Sequence, residues 1–271
     1  MRKSEFFALV ATVLVATYSF ISYQHKQQLQ FTVSHDWPII PKKVSTPPDF
    51  SAIRDVDTKK QTFFDYLRPG IAWENKRILE ERVQLEHVRE RFQNMTLNAK
   101  NMRFIKEIAA RYNVKLVEEG IDNVLFDRLL KRVNIIPEGL VLVQAANESA
   151  WGTSRFAKQG NNFFGQWCYS SGCGLVPMQR SDGKSHEVAK FKSVQQSIHR
   201  YFMNVNRNRA YEDLREIRRQ RQKQGKELHS VNAAMALADG LLKYSERGDD
   251  YVNDLKAMIR HNEHFWQHEQ E

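Results

Sequence analysis

One helix-length run constrains the fold more than any other feature. In residues 138–151, EGLVLVQAANESAW, most positions are apolar and none is basic. A helix that is apolar all round has no face to give to water, so other elements must cover it on every side. Pro137 suits the first turn of such a helix, and Gly152 supplies a stop. With 271 residues and 41% hydrophobic composition, the chain has enough apolar material for one principal core and is neither fibrous nor wholly disordered.

Amphipathic patterns supply the covering elements. Ile71, Ile78, Leu85, Val88 and Phe92 recur at helical spacing and predict a long helix over about 72–95. Further helices are expected over 98–112 and 122–133. Ser193 with Gln196 three residues on reads as a capping box opening a helix that carries Val194, Ile198, Tyr201, Phe202 and Val205. Helices over 207–226 and 231–244, and one opened by Asp249, complete the chain. Between them, 174–180 and 187–192 read as strands joined across Asp182 and Gly183, a hairpin turn signal. The expected class is mainly α (α+β) with one small β-hairpin. The expected division is a signal anchor or signal peptide at 1–23, a proline-containing linker at 24–50, a helical accessory segment at 51–132 and a catalytic domain at 133–271.

Glu148 places a carboxyl group near the carboxy-terminal end of the buried run. Burial disfavours its charged form, and the negative pole of the helix acts in the same direction, so both raise its pKa and keep a proton available near neutrality. A general acid needs such a proton. The plainer alternative is a buried glutamate satisfied by Asn147 or Gln144. Trp151, Phe156, Phe163, Phe164 and Trp167 follow Glu148 closely, and Asn161, Asn162 and Gln166 supply amides. Aromatic faces stack on pyranose rings, and amides bond hydroxyl and N-acetyl groups, so this company points to a sugar; some of the rings are equally suited to plain core.

The segment QAANESAWGTSRFAKQGNNFFGQW resembles the signature of the glucosaminidase family of peptidoglycan hydrolases, an AxxES-aromatic-G helix end followed by an NNLFG-type loop. The resemblance continues through AKFKSVQQSIHRYF and GDDYVNDLKAMI, spanning about 133–261, and the DFSAIRDVDTKK region resembles an envelope relative of the same family. It implies a lysozyme-like helical domain with the substrate groove beside the hairpin. It further implies cleavage of the β-1,4 bond after N-acetylglucosamine, with Glu148 as acid and Tyr251 shaping the site. Trp151, Asn161, Asn162, Phe163, Phe164, Gln166, Trp167 and Tyr244 are the expected substrate-binding residues. One departure stands out: relatives often carry a second carboxylate on the first hairpin strand, yet LVPMQR (175–180) has none, and Asp182 and Glu187 are the nearest acids. Substrate assistance by the 2-acetamido group supplies a route that needs one carboxyl group. A lytic transglycosylase, or a wall-binding scaffold protein that keeps the groove without turnover, are the alternatives.

Location follows from the amino terminus. Arg2 and Lys3 precede an uncharged apolar run at 6–21, an export signal that favours inner-membrane anchoring with the remainder in the periplasm. Export argues against nucleic acid as the partner of the +9 net charge, and peptidoglycan glycan strands are the expected one. The charges of 207–226 read as a solvated helix face opposite Ala210, Leu214 and Ile217, with docking to lipid headgroups or wall carboxylates as the sharper alternative. Cys168 and Cys173 are expected to close a disulfide loop in an oxidising compartment, ahead of metal binding or free thiols. His261, His264 and His268 share a helix side but match no HExxH pattern, and neither metal nor cofactor is expected.

Overall fold

The computed structural model describes residues 44, 46–116, 120–177 and 186–266. The apolar run forms α4 (Glu138–Ser149), with Leu140, Val141, Leu142, Val143, Ala145 and Ala146 all 0% exposed. Each of the leucine and valine side chains stabilises the fold by roughly 1.5–3 kcal/mol. The covering helices are α1 (Val56–Gln93), α2 (Ala99–Arg111), α3 (Asn123–Arg132), α5 (Arg155–Gly160), α6 (Val194–Arg207), α7 (Glu212–Lys223), α8 (Val231–Ala238) and α9 (Asp249–Asn262). Residues of α1, α8 and α9 pack directly on α4, so the run is enclosed as its composition requires.

The helix α1 begins at Val56, far earlier than the expected start near residue 72. Pro69 and Gly70 ordinarily break helices. Tertiary contacts override them: Phe63, Phe64, Leu67 and Ile71 are all 0% exposed on either side of the proline. Gly70 is where α6 crosses closely. A Cβ there would sit 2.7 Å from Gln195 Oε1, and Gln195 Nε2 donates to the Gly70 carbonyl at 3.2 Å.

The β element is larger in topology and shorter in strand length than a simple hairpin. Strands β1 (Trp167–Cys168), β2 (Gly174–Leu175) and β3 (Glu187–Ala189) form an antiparallel sheet of order β1-β3-β2. Trp167 pairs with Val188, and Gly174 with Ala189. Strand β1 is too short to show any alternation of its own and forms only because β3 offers a second edge. Asp182 and the Asp-Gly turn lie outside the described residues, as do the apolar run at 6–21 and His268. Among the described residues no helix is long and apolar enough to cross a membrane.

The basic helix α7 differs from the solvated face expected of it. Arg215 and Arg218 are both 0% exposed. Arg218 donates to the carbonyls of Lys131, Asn134 and Ile135 and to Asn206 Oδ1; Arg215 donates to the carbonyls of Val205 and Asn208. These carbonyls lie at and just beyond the carboxy-terminal ends of α3 and α6, where helices leave acceptors unpaired and negative charge accumulates. The two arginines are internal caps. Ser193 caps α6 as expected, accepting from the Gln196 N–H, but the Gln196 side chain bonds the Lys192 N–H at 2.8 Å rather than that of Ser193.

Candidate active site

The site grows from the carboxy-terminal end of α4. Ala150 and Trp151 both have positive φ (48° and 56°), followed by Gly152 at 75°. Two consecutive non-glycine residues in the left-handed region need surroundings that hold them there. Ser149 supplies part of that hold: its hydroxyl donates to the Ala145 carbonyl at 2.6 Å and accepts the Gly152 N–H at 2.8 Å. A Cβ at Gly152 would lie 2.3 Å from the Phe50 ring, so the ring also excludes any larger residue. The helix thus stops at Ala150, just before the expected Gly152, and the chain turns sharply away from Glu148.

Glu148 is partly buried and keeps contact with solvent. Burial raises its pKa above the usual carboxylate range; hydrogen bonds from Tyr251 and Asn147 and the charge of Arg247 pull it down without cancelling the rise. Asn147 Nδ2 donates to Glu148 Oε1 at 3.3 Å. On the opposite side the loop backbone comes close: a Cβ on Gly165, whose φ is +60°, would sit 3.1 Å from Glu148 Oε2. Glycine keeps this approach open without crowding the acid.

A wall of phenols surrounds the carboxyl group. Tyr244 and Tyr251 stack with ring centroids 5.6 Å apart and planes 4° off parallel, and Tyr211 lies 5.8 Å from Tyr244. Tyr244 donates to the Phe164 carbonyl at 2.9 Å, tying the wall to the loop. Gln144 does not bond Glu148; its Nε2 donates to the Tyr251 hydroxyl at 3.0 Å, and its Oε1 accepts from Tyr201. Burial holds the pKa values of Tyr201, Tyr244 and Tyr251 above the ordinary phenol value, so all three remain protonated donors near neutrality.

The remaining expected substrate residues fall into two groups. Asn162, Phe163, Phe164 and Gln166 are buried, at 1%, 1%, 1% and 8% exposure. Asn162 Nδ2 donates to the carbonyls of Gln166 and Ala189, its Oδ1 accepts from Phe164 and Gln166 N–H groups, and Gln166 Nε2 donates to the Ser197 carbonyl. These amides are committed to shaping the loop, and the two rings belong to the core. Asn161 likewise turns the chain, at φ 50°, and donates to the Phe191 carbonyl. Trp151 packs edge-on against Phe63 and Phe64 of α1, at 5.5 and 5.3 Å.

Trp167 is the exposed one, at 42%, with His186 edge-on at 4.3 Å and Tyr169 beyond it at 79% exposure. Cys168 and Cys173 form a disulfide that closes this loop. Glu187 is 6% exposed and accepts the N–H groups of Gly172 at 3.0 Å and Gly174 at 2.8 Å, which braces the same loop. Its carboxylate lies near both sulfurs, but disulfide sulfurs offer no thiolate to a metal. A depression lined by Arg221, Lys226, Ser230 and Asp239 holds none of the site residues.

Sequence reasoning missed Tyr201, Tyr211, Gly165 and the role of Gln144. Gln144 and Gly165 had a local signal, since Gln144 stands four residues before Glu148 on the same helix face and Gly165 closes the NNFFG stretch. Comparison with known proteins gives a consistent result. The family model described as "Glucosaminidase: Mannosyl-glycoprotein endo-beta-N-acetylglucosaminidase" matches residues 124–264. Protein bax of Escherichia coli (strain K12) is 34% identical over 221 residues, covering 82% of this chain and 76% of that relative. No solved structure matches at a significant level.

Proposed function

Because the chain belongs to the glucosaminidase family, whose model covers residues 124–264, we propose that it is an endo-β-N-acetylglucosaminidase cutting β-1,4 bonds of peptidoglycan glycan strands. The observation that carries this reading is the setting of Glu148: a carboxyl group with a raised pKa, open to solvent, at the end of a buried helix and beneath a wall of phenols. Such a group keeps its proton to higher pH than an ordinary carboxyl group and can pass it to a bridging oxygen.

The chemistry asks for one proton donor and one nucleophile. Glu148 protonates the glycosidic oxygen as the C1–O bond breaks. The acetamido oxygen of the same sugar bonds to C1, forming a cyclic oxazolinium ion. Water then adds to C1 and gives its proton to the Glu148 carboxylate, restoring the acid and reopening the ring. Tyr251 stabilises the carboxylate left after the first step by donating a hydrogen bond to it. Glu187 is braced against loop amides, which supports a route with a single working carboxyl group. The exposed Trp167 and Tyr169 offer stacking faces for the glycan. We place the enzyme in the periplasm, attached to the inner membrane by residues 6–21; the disulfide supports an oxidising compartment.

Purified sacculi digested with the full chain and with Glu148→Gln test the assignment, with fragments read by mass spectrometry. Reducing N-acetylglucosamine ends from the parent, and at least about a hundredfold fewer from the variant, are expected. Anhydro-sugar ends would assign a lytic transglycosylase instead, and binding to sacculi with no soluble fragments would leave a wall-binding protein.

A further inference from the structure

Three groups form a hydrogen-bonded chain through the core that ends beside the acid. The Tyr201 hydroxyl donates to Gln144 Oε1, Gln144 Nε2 donates to the Tyr251 oxygen at 3.0 Å, and Tyr251 is the neighbour that most lowers the proton affinity of Glu148. The chain has a direction. Tyr201 is 1% exposed, and Gln144 is its hydrogen-bond partner among the described residues. Turning the Gln144 amide over would present –NH2 to Tyr201 and strand the phenolic proton in the core, at a desolvation cost of about 1–3 kcal/mol. With Tyr201 fixing the amide, the Tyr251 oxygen accepts a hydrogen bond from Gln144 Nε2. Its own proton is therefore left for Glu148.

We infer that Gln144 and Tyr201 are positioning residues that set the direction of the Tyr251 hydroxyl, so that it donates to the Glu148 carboxylate. Neither reaches the reacting atoms; both act through Tyr251. Were the amide free to turn, Gln144 Oε1 would compete for the Tyr251 proton, and the carboxylate formed during bond cleavage would lose its donor. That Glu148 is the acid of a glycosidase is the reading on which the importance of this relay rests, while the relay itself is a property of the unliganded protein.

The test uses the full chain labelled with 13C at glutamate side-chain carboxyls and tyrosine Cζ. The Glu148 resonance is assigned by its loss in Glu148→Gln and titrated in the parent, Tyr251→Phe, Tyr201→Phe and Gln144→Met proteins. Removing a charge-assisted donor should raise the proton affinity of Glu148 about tenfold in Tyr251→Phe. Tyr201→Phe and Gln144→Met should raise it in the same direction. In the parent, Tyr251 Cζ should move with the Glu148 midpoint, a measurement that no variant's folding affects. An unmoved Glu148 midpoint in a folded Tyr201→Phe protein, or a Tyr251 signal indifferent to that midpoint, would overturn the relay. On sacculi, Tyr201→Phe should lower kcat with little change in KM and carry the alkaline limb of the pH profile upward. If the titrations behave as described but no glycan is cut, the glycosidase reading falls and the relay stands.

Discussion

Glu74 lies on α1 at 0% exposure, with Arg77 Nη2 at 2.9 Å and His199 Nδ1 at 3.1 Å from its carboxylate. Glu148 lies on α4 with an asparagine and a tyrosine as neighbours, and its cation, Arg247, is an exposed side chain bonded to Asp254. Burial pushes both carboxyl groups upward in pKa. At Glu74 the hydrogen bond to His199 and the charge of Arg77 reverse that push and leave the pKa below its ordinary value. At Glu148 nothing reverses it. The difference teaches that depth of burial alone does not mark an acid for chemistry: the more buried glutamate is ion-paired structure, and the less buried one lacks a close cation and opens to water. A carboxylate with cations bonded to it has no proton to give near neutrality.

Substitutions at the two positions should therefore separate activity from stability. The largest effect is expected from Glu148→Gln, which should lower glycan cleavage by about 10²–10⁴-fold, the usual yield of general acid catalysis, with cooperative unfolding intact. Next is Glu74→Ala, which strips Arg77 and His199 of a partner inside the fold. It should cost about 3–5 kcal/mol in denaturant unfolding, with activity per folded molecule nearly unchanged. If instead Glu74→Ala abolished turnover in folded protein, the contrast between the two glutamates would break.

A smaller effect sharpens the contrast through pH. The folded-state pKa of Glu148 is raised, so its ionisation works against folding, and native stability attributable to this group declines as pH rises above the unfolded value of 4.5. Glutamine is spared this loss. Glu148→Gln should melt a few degrees higher than the parent at pH 7, the gap closing as pH falls below 4. Glu74 has the opposite sign: its pKa is depressed, so its contribution is present above the unfolded value and is lost as pH falls through the folded one. The smallest effect is expected from Arg247→Gln. Loss of that exposed charge should raise the proton affinity of Glu148 by about twofold at low ionic strength, and salt should erase the change.

Local physics made part of this molecule legible in the sequence. The boundaries of α2 and α3 follow from Asn98 and Asp122, whose side chains accept from the N–H three residues on, an interaction that needs no distant partner. Glu148 stood out because a carboxyl group in an apolar run is improbable wherever the run ends up. Arg215 and Arg218 were illegible for the converse reason. Along the sequence they are two charges among many on α7, and only the arrival of carbonyls from the ends of α3 and α6 makes their burial tolerable. Asn162 and Gln166 are similar: an amide that will bond a sugar and one that will bond the Ala189 or Ser197 carbonyl are the same residue until the loop closes.

The sequence by itself determined that a buried helix following Pro137 would carry an acid near its end and that a shell of helices would enclose it, because hydrophobic periodicity and caps act over a few residues. Only the tertiary structure decided which carboxyl group would have its proton affinity raised and which lowered. That outcome depends on which cations, phenols and amides come within hydrogen-bonding distance from α1, α6 and α9. Tyr251 and Tyr201 lie 103 and 53 residues from Glu148 along the chain, separations over which no local rule acts.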